Sequence, residues 1–238
     1  MREQAVGDPS LEIGYPRTLD LLMRLGLRAT FFVEGWNAVH NPGAVAGVAE
    51  GGHEIGLHGW THENLQALAP DEVRRIVAKG TAAFDRLGLR PTGFRSPGGY
   101  RPEGLIEVLR DLNFAYDSSI SSDECAMRPS MLDNALVAIP WRWQMIDYWH
   151  YFMRPTGPGT PGEMLADMRA LIAAAKRSRD LVTFIFHPHV SGVADDKFAA
   201  MEALFGELAS DAEVNLTTAG ELAARTTARL DPRASPRK

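Results

Sequence analysis

Two histidines four residues apart, His58 and His62 in the stretch HGWTH, could converge on one ion. Residues at this spacing share a face in a helical turn, and also in a strand. Zinc and its neighbours accept neutral imidazole nitrogen. The plainer alternative is two hydrogen-bonded polar residues at a strand end, and the pair lacks the glutamate of the helical H-E-x-x-H protease motif. His187, in FIFHPHV, follows an apolar run, so its ring should be partly desolvated, and a histidine there can give a proton to a leaving group. The alternative is a buried histidine satisfied by a backbone carbonyl. His189 alternates onto the same side, but Pro188 interrupts the strand and ranks it below His187. Arg95 opens RSPGGY, a Pro/Gly turn in which Pro97, Gly98 and Tyr100 can bring backbone close to a ligand. Its guanidinium can orient a carboxylate; an ordinary strand-to-helix connection explains the glycines equally well. Asp147 sits in a dense aromatic group of Trp141, Trp143, Tyr148, Trp149, Tyr151 and Phe152. That group suits a sugar or planar ligand, a core patch, or an interface between copies of the chain.

These residues need elements to hold them. Apolar runs at 29–35, 53–59, 93–99, 115–119, 136–141, 181–189 and 214–218 read as strands. Between them lie helical patterns at 16–25, 42–50, 70–88, 102–112, 162–178 and 195–209, with a last helix from Ala219. Pro16 and Pro70 suit first helical turns, and Gly26 and Gly88 suit stops. Strand–helix alternation implies a mainly parallel sheet, open or closed into a barrel. In such folds chemistry collects at the carboxyl ends of the strands. Four separate strand ends here deliver His, Arg, Asp or Trp to one rim. That convergence shifts the balance for HGWTH from incidental residues toward a metal site.

The bulk numbers narrow the function classes. The chain has 238 residues, 45% hydrophobic and 23% charged, enough for one sizeable core. No repeat or linker interrupts it, so residues 1–238 are expected to form one domain. A net charge of −5 argues against a general nucleic-acid binder. No stretch reaches the roughly 18 apolar residues of a membrane span, and MREQAVGDPSLEIG has no apolar signal core, so a cytoplasmic location is the default. A single cysteine, Cys125, excludes an internal disulfide framework and a cysteine-based zinc knuckle. The basic tail after Thr226 is expected to fray.

Taken in order, TLDLLMRLGLRATFFVEG, GGHEIGLHGWTHENL, PTGFRSPGGYRPEGLIEVLRDLNFAYDSS, VAIPWRWQMIDYW and FIFHPHVSG resemble the polysaccharide deacetylase (NodB-homology) superfamily. HGWTHEN and IPWRWQMID look most like its peptidoglycan deacetylase-like and allantoinase-like branch. The resemblance implies a distorted (β/α)7 barrel and a metal-dependent hydrolase of non-peptide C–N bonds. His58 and His62 match the metal histidines, with zinc, cobalt, nickel or manganese as the ion. Arg95 matches the arginine that orients the catalytic aspartate, and His187 matches the general acid. Trp143, Asp147, Pro97, Gly98 and Tyr100 are expected along the substrate groove. The implied partner is an acetylated sugar, or a small cyclic amide in a ring-opening alternative; a non-catalytic carbohydrate-binding barrel is a third. One departure stands out. The family's first strand ends in an aspartate pair supplying the base and the third metal ligand, and no such strand is found here. Asp8 lies at a plausible distance but MREQAV is a poor strand. The expectation is a barrel lacking its first strand, with its metal site short of a ligand.

Overall fold

The computed structural model describes residues 7–119, 127–132 and 136–230. They fall into two compact units, one drawn from residues 7–28, 127 and 141–216 and the other from 29–119, 128–132, 136–140 and 217–230.

The second unit carries the sheet. Strands β1 (Thr30–Val33), β2 (Glu54–Leu57), β3 (Gly93–Phe94), β4 (Tyr116–Asp117), β5 (Ser130–Leu132) and β6 (Leu136–Ala138) stand in the order β1-β2-β3-β4-β6-β5. Every pair is parallel except β5 with β6. Parallel neighbours need crossover connections, and helices supply the three that join β1 to β2, β2 to β3 and β3 to β4. They are α2 (Gly35–His40) and α3 (Pro42–Glu50) after β1, α4 (Pro70–Asp85) after β2 and α5 (Leu105–Asp111) after β3. Leu57, Val73, Val77, Phe84, Phe94, Leu105 and Leu109 are all buried. The α4 backbone lies so close to β2 that a Cβ on Gly80 would stand 2.6 Å from Leu57 Cδ1. Gly93 has a similar role inside β3: a Cβ there would fall 1.9 Å from Tyr116 Cζ, because that ring crosses β3 to donate its hydroxyl to Glu54 Oε1 at 2.8 Å. Helix α8 (Ala219–Leu230) closes this unit, its Ala219 and Gly220 amides donating to Thr30 Oγ1 and Glu54 Oε2.

The first unit is mostly helical. A π-helical turn at Ser10–Gly14 runs into α1 (Tyr15–Arg24), followed later by α6 (Pro161–Ser178) and α7 (Asp195–Ser210). Thr160 caps α6 in a reciprocal box: Glu163 N–H donates to Thr160 Oγ1, and Thr160 N–H to Glu163 Oε2. Met145, Tyr151, Met164, Met168, Val190, Leu204 and Leu208 form its core, with Val182, Phe184 and Phe186 packed against them.

Among the described residues no strand precedes β1, and residues 10–24 are helical. The expected strand at 181–189 is corrected: the segment holds one isolated parallel bridge, Ile185 with Ile146, and turns into a π-helical turn at Pro188–Gly192. Its apolar residues are partly buried as expected, but period and polarity report burial and not ladder pairing. Residues 214–218 likewise form no ladder. The short helix α2 and the antiparallel strand β5 were not expected. Helix α8 runs past Thr226 to Leu230, and the rest of the basic tail lies outside the described residues, as does Cys125. No described helix is long and apolar enough to cross a membrane.

Candidate functional site

The expected site residues divide between the two units: His58, His62, Arg95, Pro97, Gly98 and Tyr100 in the sheet unit, and Trp143, Asp147 and His187 in the helical one.

In the sheet unit the parallel ladder extends past β2. His58 N–H donates to Val33 O, and Arg95 N–H to Leu57 O, each at 3.0 Å. His58 and Arg95 therefore emerge together at the carboxyl ends of β2 and β3. His58 Nδ1–H donates to Arg95 O at 2.7 Å, which makes Nε2 the nitrogen without a proton. The chain turns sharply after it, and His62 holds a left-handed φ of 65°. That conformation is uncommon outside glycine, and it places the His62 ring edge-on to His58 with centroids 5.0 Å apart. Glu63 fastens the turn, its carboxylate accepting from the Trp60 and Thr61 amides and the Thr61 hydroxyl. Those hydrogen bonds hold its carboxyl below the usual range although burial pushes the other way.

Arg95 lies over the Phe32 ring at 4.2 Å, with Nε donating to Ser118 O and Nη2 to Ser118 Oγ. Its enclosure pushes the guanidinium down to about 10, against the opposing fields of Tyr116 and Asp117. Among the described residues its ion-pairing partner is no carboxylate. The carboxylate nearby, Asp117, is fully buried and taken by Arg101, through Nε at 2.9 Å and Nη2 at 2.6 Å, and by Ser119. This clamp fixes the foot of the 96–101 loop. Pro97 is buried, while Gly98, at a φ of 72°, and Tyr100 are exposed.

Among the described residues no three His, Cys, Asp or Glu side chains stand together as a metal site would require. Two imidazoles are one donor short of the three protein ligands that a catalytic zinc keeps. The described donors thus do not fit a complete site. Asp8 does not fill the gap: it is exposed, and Oδ1 accepts the Ser10 amide at 2.9 Å as a local cap.

In the helical unit the geometry closes on one carboxylate. Asp147 is fully buried. Its Oδ1 accepts His187 Nδ1–H at 2.6 Å and the Tyr148 amide at 2.6 Å; its Oδ2 accepts the His187 amide at 2.8 Å and Ser191 Oγ–H at 2.7 Å. The Ile146–Ile185 bridge is what brings these segments, 40 residues apart, side by side. Asp147 was expected in the substrate groove; it has no exposed surface, and two of its four hydrogen bonds hold His187. Nδ1 protonation leaves Nε2 as the nitrogen that can exchange a proton with a substrate, on a side chain 33% exposed. The aromatic group splits likewise. Trp141 and Tyr151 are buried, and Trp143 is half-buried, edge-on to Trp141 at 5.0 Å. Tyr148 and Phe152 are exposed. Sequence reasoning missed Ser118, Ser191 and Asp117; the serines of YDSS and HVSG carry no spacing signal that separates them from ordinary turn residues.

A parallel α/β sheet presenting histidine and arginine at its strand ends defines the class. Within it, residues 8–116 match the family profile described as polysaccharide deacetylase. The Listeria monocytogenes peptidoglycan-N-acetylglucosamine deacetylase PgdA is 41% identical over 95 residues, 40% of this chain and 20% of that protein. Among solved structures, a Mycobacterium smegmatis protein assigned to the polysaccharide deacetylases superposes with a TM-score of 0.84 at 26% identity. That match covers 96% of this chain and 81% of the other. The Puue allantoinase shares the fold, with a TM-score of 0.82 over 94% of this chain and 74% of its own, at 19% identity. Over a little less than half its length the chain is thus similar to the polysaccharide deacetylases, and its match spans only a fifth of PgdA.

Proposed function

We propose that the protein is a hydrolase removing N-acetyl groups from a polysaccharide or peptidoglycan-type substrate. The observation that carries this reading is the Asp147–His187 pair, a buried carboxylate holding Nδ1–H so that Nε2 faces outward. In amide hydrolysis water adds to the acetyl carbonyl carbon, the C–N bond breaks, and the departing nitrogen must gain a proton. In this reading His187 Nε2 gives it, and general acid help of this kind contributes about 10²- to 10⁴-fold. Asp147 stabilises the protonated imidazole before transfer and keeps the ring from rotating. The half-buried Arg95 contributes positive potential at the His58 strand end. A divalent metal, zinc or cobalt, nickel or manganese, is the cofactor this reading calls for at His58 and His62. Its remaining protein donor is not among the described residues, so every step above rests on the chain's own side chains.

The test is acetate release from N-acetylglucosamine oligomers and from peptidoglycan, with metal-supplemented wild type and His187→Ala, and a small cyclic imide run beside them. Acetate from the glycans, lost in the variant, supports the proposal. Ring opening of the imide without acetate release replaces it with an amidase. Glycan binding with neither product replaces it with a non-catalytic barrel.

A further inference from the structure

Tyr148 and Phe152 are 41% and 56% exposed, and their rings lie 4.8 Å apart at a 45° tilt. The adjoining Met153 is 47% exposed, so the turn at Trp149–Met153 presents a continuous apolar step to solvent. Exposed apolar side chains grouped in this way, rather than scattered singly, are candidates for a ligand face. Its placement is not independent of the chemistry. The Tyr148 ring stands 5.9 Å from the His187 ring, and the Tyr148 amide is bonded to the same Asp147 oxygen that holds His187 Nδ1. One buried carboxylate therefore sets the distance from the aromatic step to the proton donor. At the other end of the step, Lys197 on α7 holds its ammonium 5.1 Å from the Phe152 ring centroid and 4.4 Å from that of the buried Tyr151. Among the described residues Lys197 forms no ion pair, although carboxylates pair with the basic Arg17 and Arg24 of the same unit. Seated on two aromatic faces, it is a cation held in place with charge to spare.

Resting on the deacetylase reading, we infer that this step binds a sugar ring carrying a carboxylate. The ring would stack on Tyr148 and Phe152 while Lys197 Nζ pairs with the acid, and the acetamido group would lie toward His187. Aromatic faces take the C–H face of a sugar ring without discriminating charge. Lys197 therefore supplies the selectivity, favouring an acidic N-acetylated saccharide over its neutral counterpart.

Binding, read by titration calorimetry on the His187→Ala protein so that turnover plays no part, separates this inference from the activity itself. The probes are an N-acetylglucosamine tetramer and a tetramer of the same length whose alternate sugars carry a lactyl carboxylate. The acidic tetramer should bind about tenfold tighter, roughly the effect of one charge-assisted contact. That advantage should shrink as salt rises. Lys197→Gln should bring it down to the neutral probe's affinity, and Phe152→Ala should weaken both probes together. Equal affinity for the two probes, an acidic preference that survives Lys197→Gln, or binding of neither probe would each overturn the inference. If acetate release fails but this pattern holds, the ligand assignment stands and only the catalytic reading falls.

Discussion

The two histidine regions solve opposite problems. In the helical unit, His187 sits on a fully buried carboxylate whose four acceptor bonds come from His187, Tyr148 and Ser191. Nothing more is needed to fix its tautomer or its orientation. In the sheet unit, His58 is oriented by a backbone carbonyl, His62 by a left-handed turn, and Arg95 by a serine and a phenyl face. Two carboxylates of that unit are already committed, Glu63 to the turn's own amides and Asp117 to Arg101. One half is complete within two paired segments of chain, while the other is imidazole-rich and, among the described residues, short of a third donor. A proton-transfer group can be assembled from two segments of chain. A catalytic zinc site needs three protein donors, and the HGWTH turn offers two imidazoles toward that number.

The comparison breaks most visibly at Asp147. Asp147→Asn keeps the shape but offers an amide where His187 needs an acceptor, so the ring is free to take the wrong tautomer. We expect kcat for acetate release to fall by about 10²- to 10⁴-fold, with KM near that of wild type. Zinc uptake by the His58/His62 pair, measured by elemental analysis, should be unchanged. Loss of metal together with activity would show that the two regions are not separable in this way. A structural break in the sheet unit comes next. Gly93→Ala puts a methyl group into the Tyr116 ring. Overpacking of that kind should cost about 3 kcal/mol in denaturant unfolding. If stability is unaffected, the Tyr116–Glu54 bond across β3 is not what holds the strand ends that carry His58 and Arg95.

Legibility differs between the regions for physical reasons. The i, i+4 spacing of His58 and His62 is local, and their rings do face each other. Helix α4 was readable from Pro70 and its acidic first turn, because capping acts within four residues. The Asp147–His187 contact spans 40 residues and depends on a single bridge at Ile146 and Ile185, in a segment whose apolar pattern promised a full ladder. Hydrophobicity there was a correct guide to burial and a poor one to pairing. The resemblance placed Asp147 in the groove, but one sequence cannot tell an exposed acid from a buried one. The Arg95–Ser118 bond was equally invisible, since a guanidinium has no preferred partner in sequence.

His150 offers a smaller effect. It is fully buried, Nε2–H donates to Gln144 O at 2.8 Å, and burial lowers its pKa against the raising influence of that bond and of Asp167. Its folded value lies below the unfolded one, so the unfolded chain binds the extra proton. Stability from this group is thus present above the unfolded pKa of about 6.5 and lost as pH falls below it. The slope contributed is at most about 1.4 kcal/mol per pH unit. Denaturant midpoints from pH 7 to 5 should fall less steeply in His150→Gln than in wild type; parallel curves would assign the acid sensitivity elsewhere.

The smallest effect tests how redundant the His187 anchorage is. Ser191→Ala removes one of four donors to Asp147, and the hydroxyl is buried, so no water replaces it at once. The carboxylate keeps both contacts to His187 and the Tyr148 amide. A hydrogen bond to a charged group contributes about 1.5–3 kcal/mol, and the three that survive should absorb part of that loss. A stability decrease of about 1 kcal/mol with kcat within threefold of wild type is therefore expected. A kcat loss as large as that of Asp147→Asn would mean the carboxylate's orientation hangs on Ser191. The helical half would then be as dependent on one distant donor as a metal at His58 and His62 would be on a third ligand beyond the described residues.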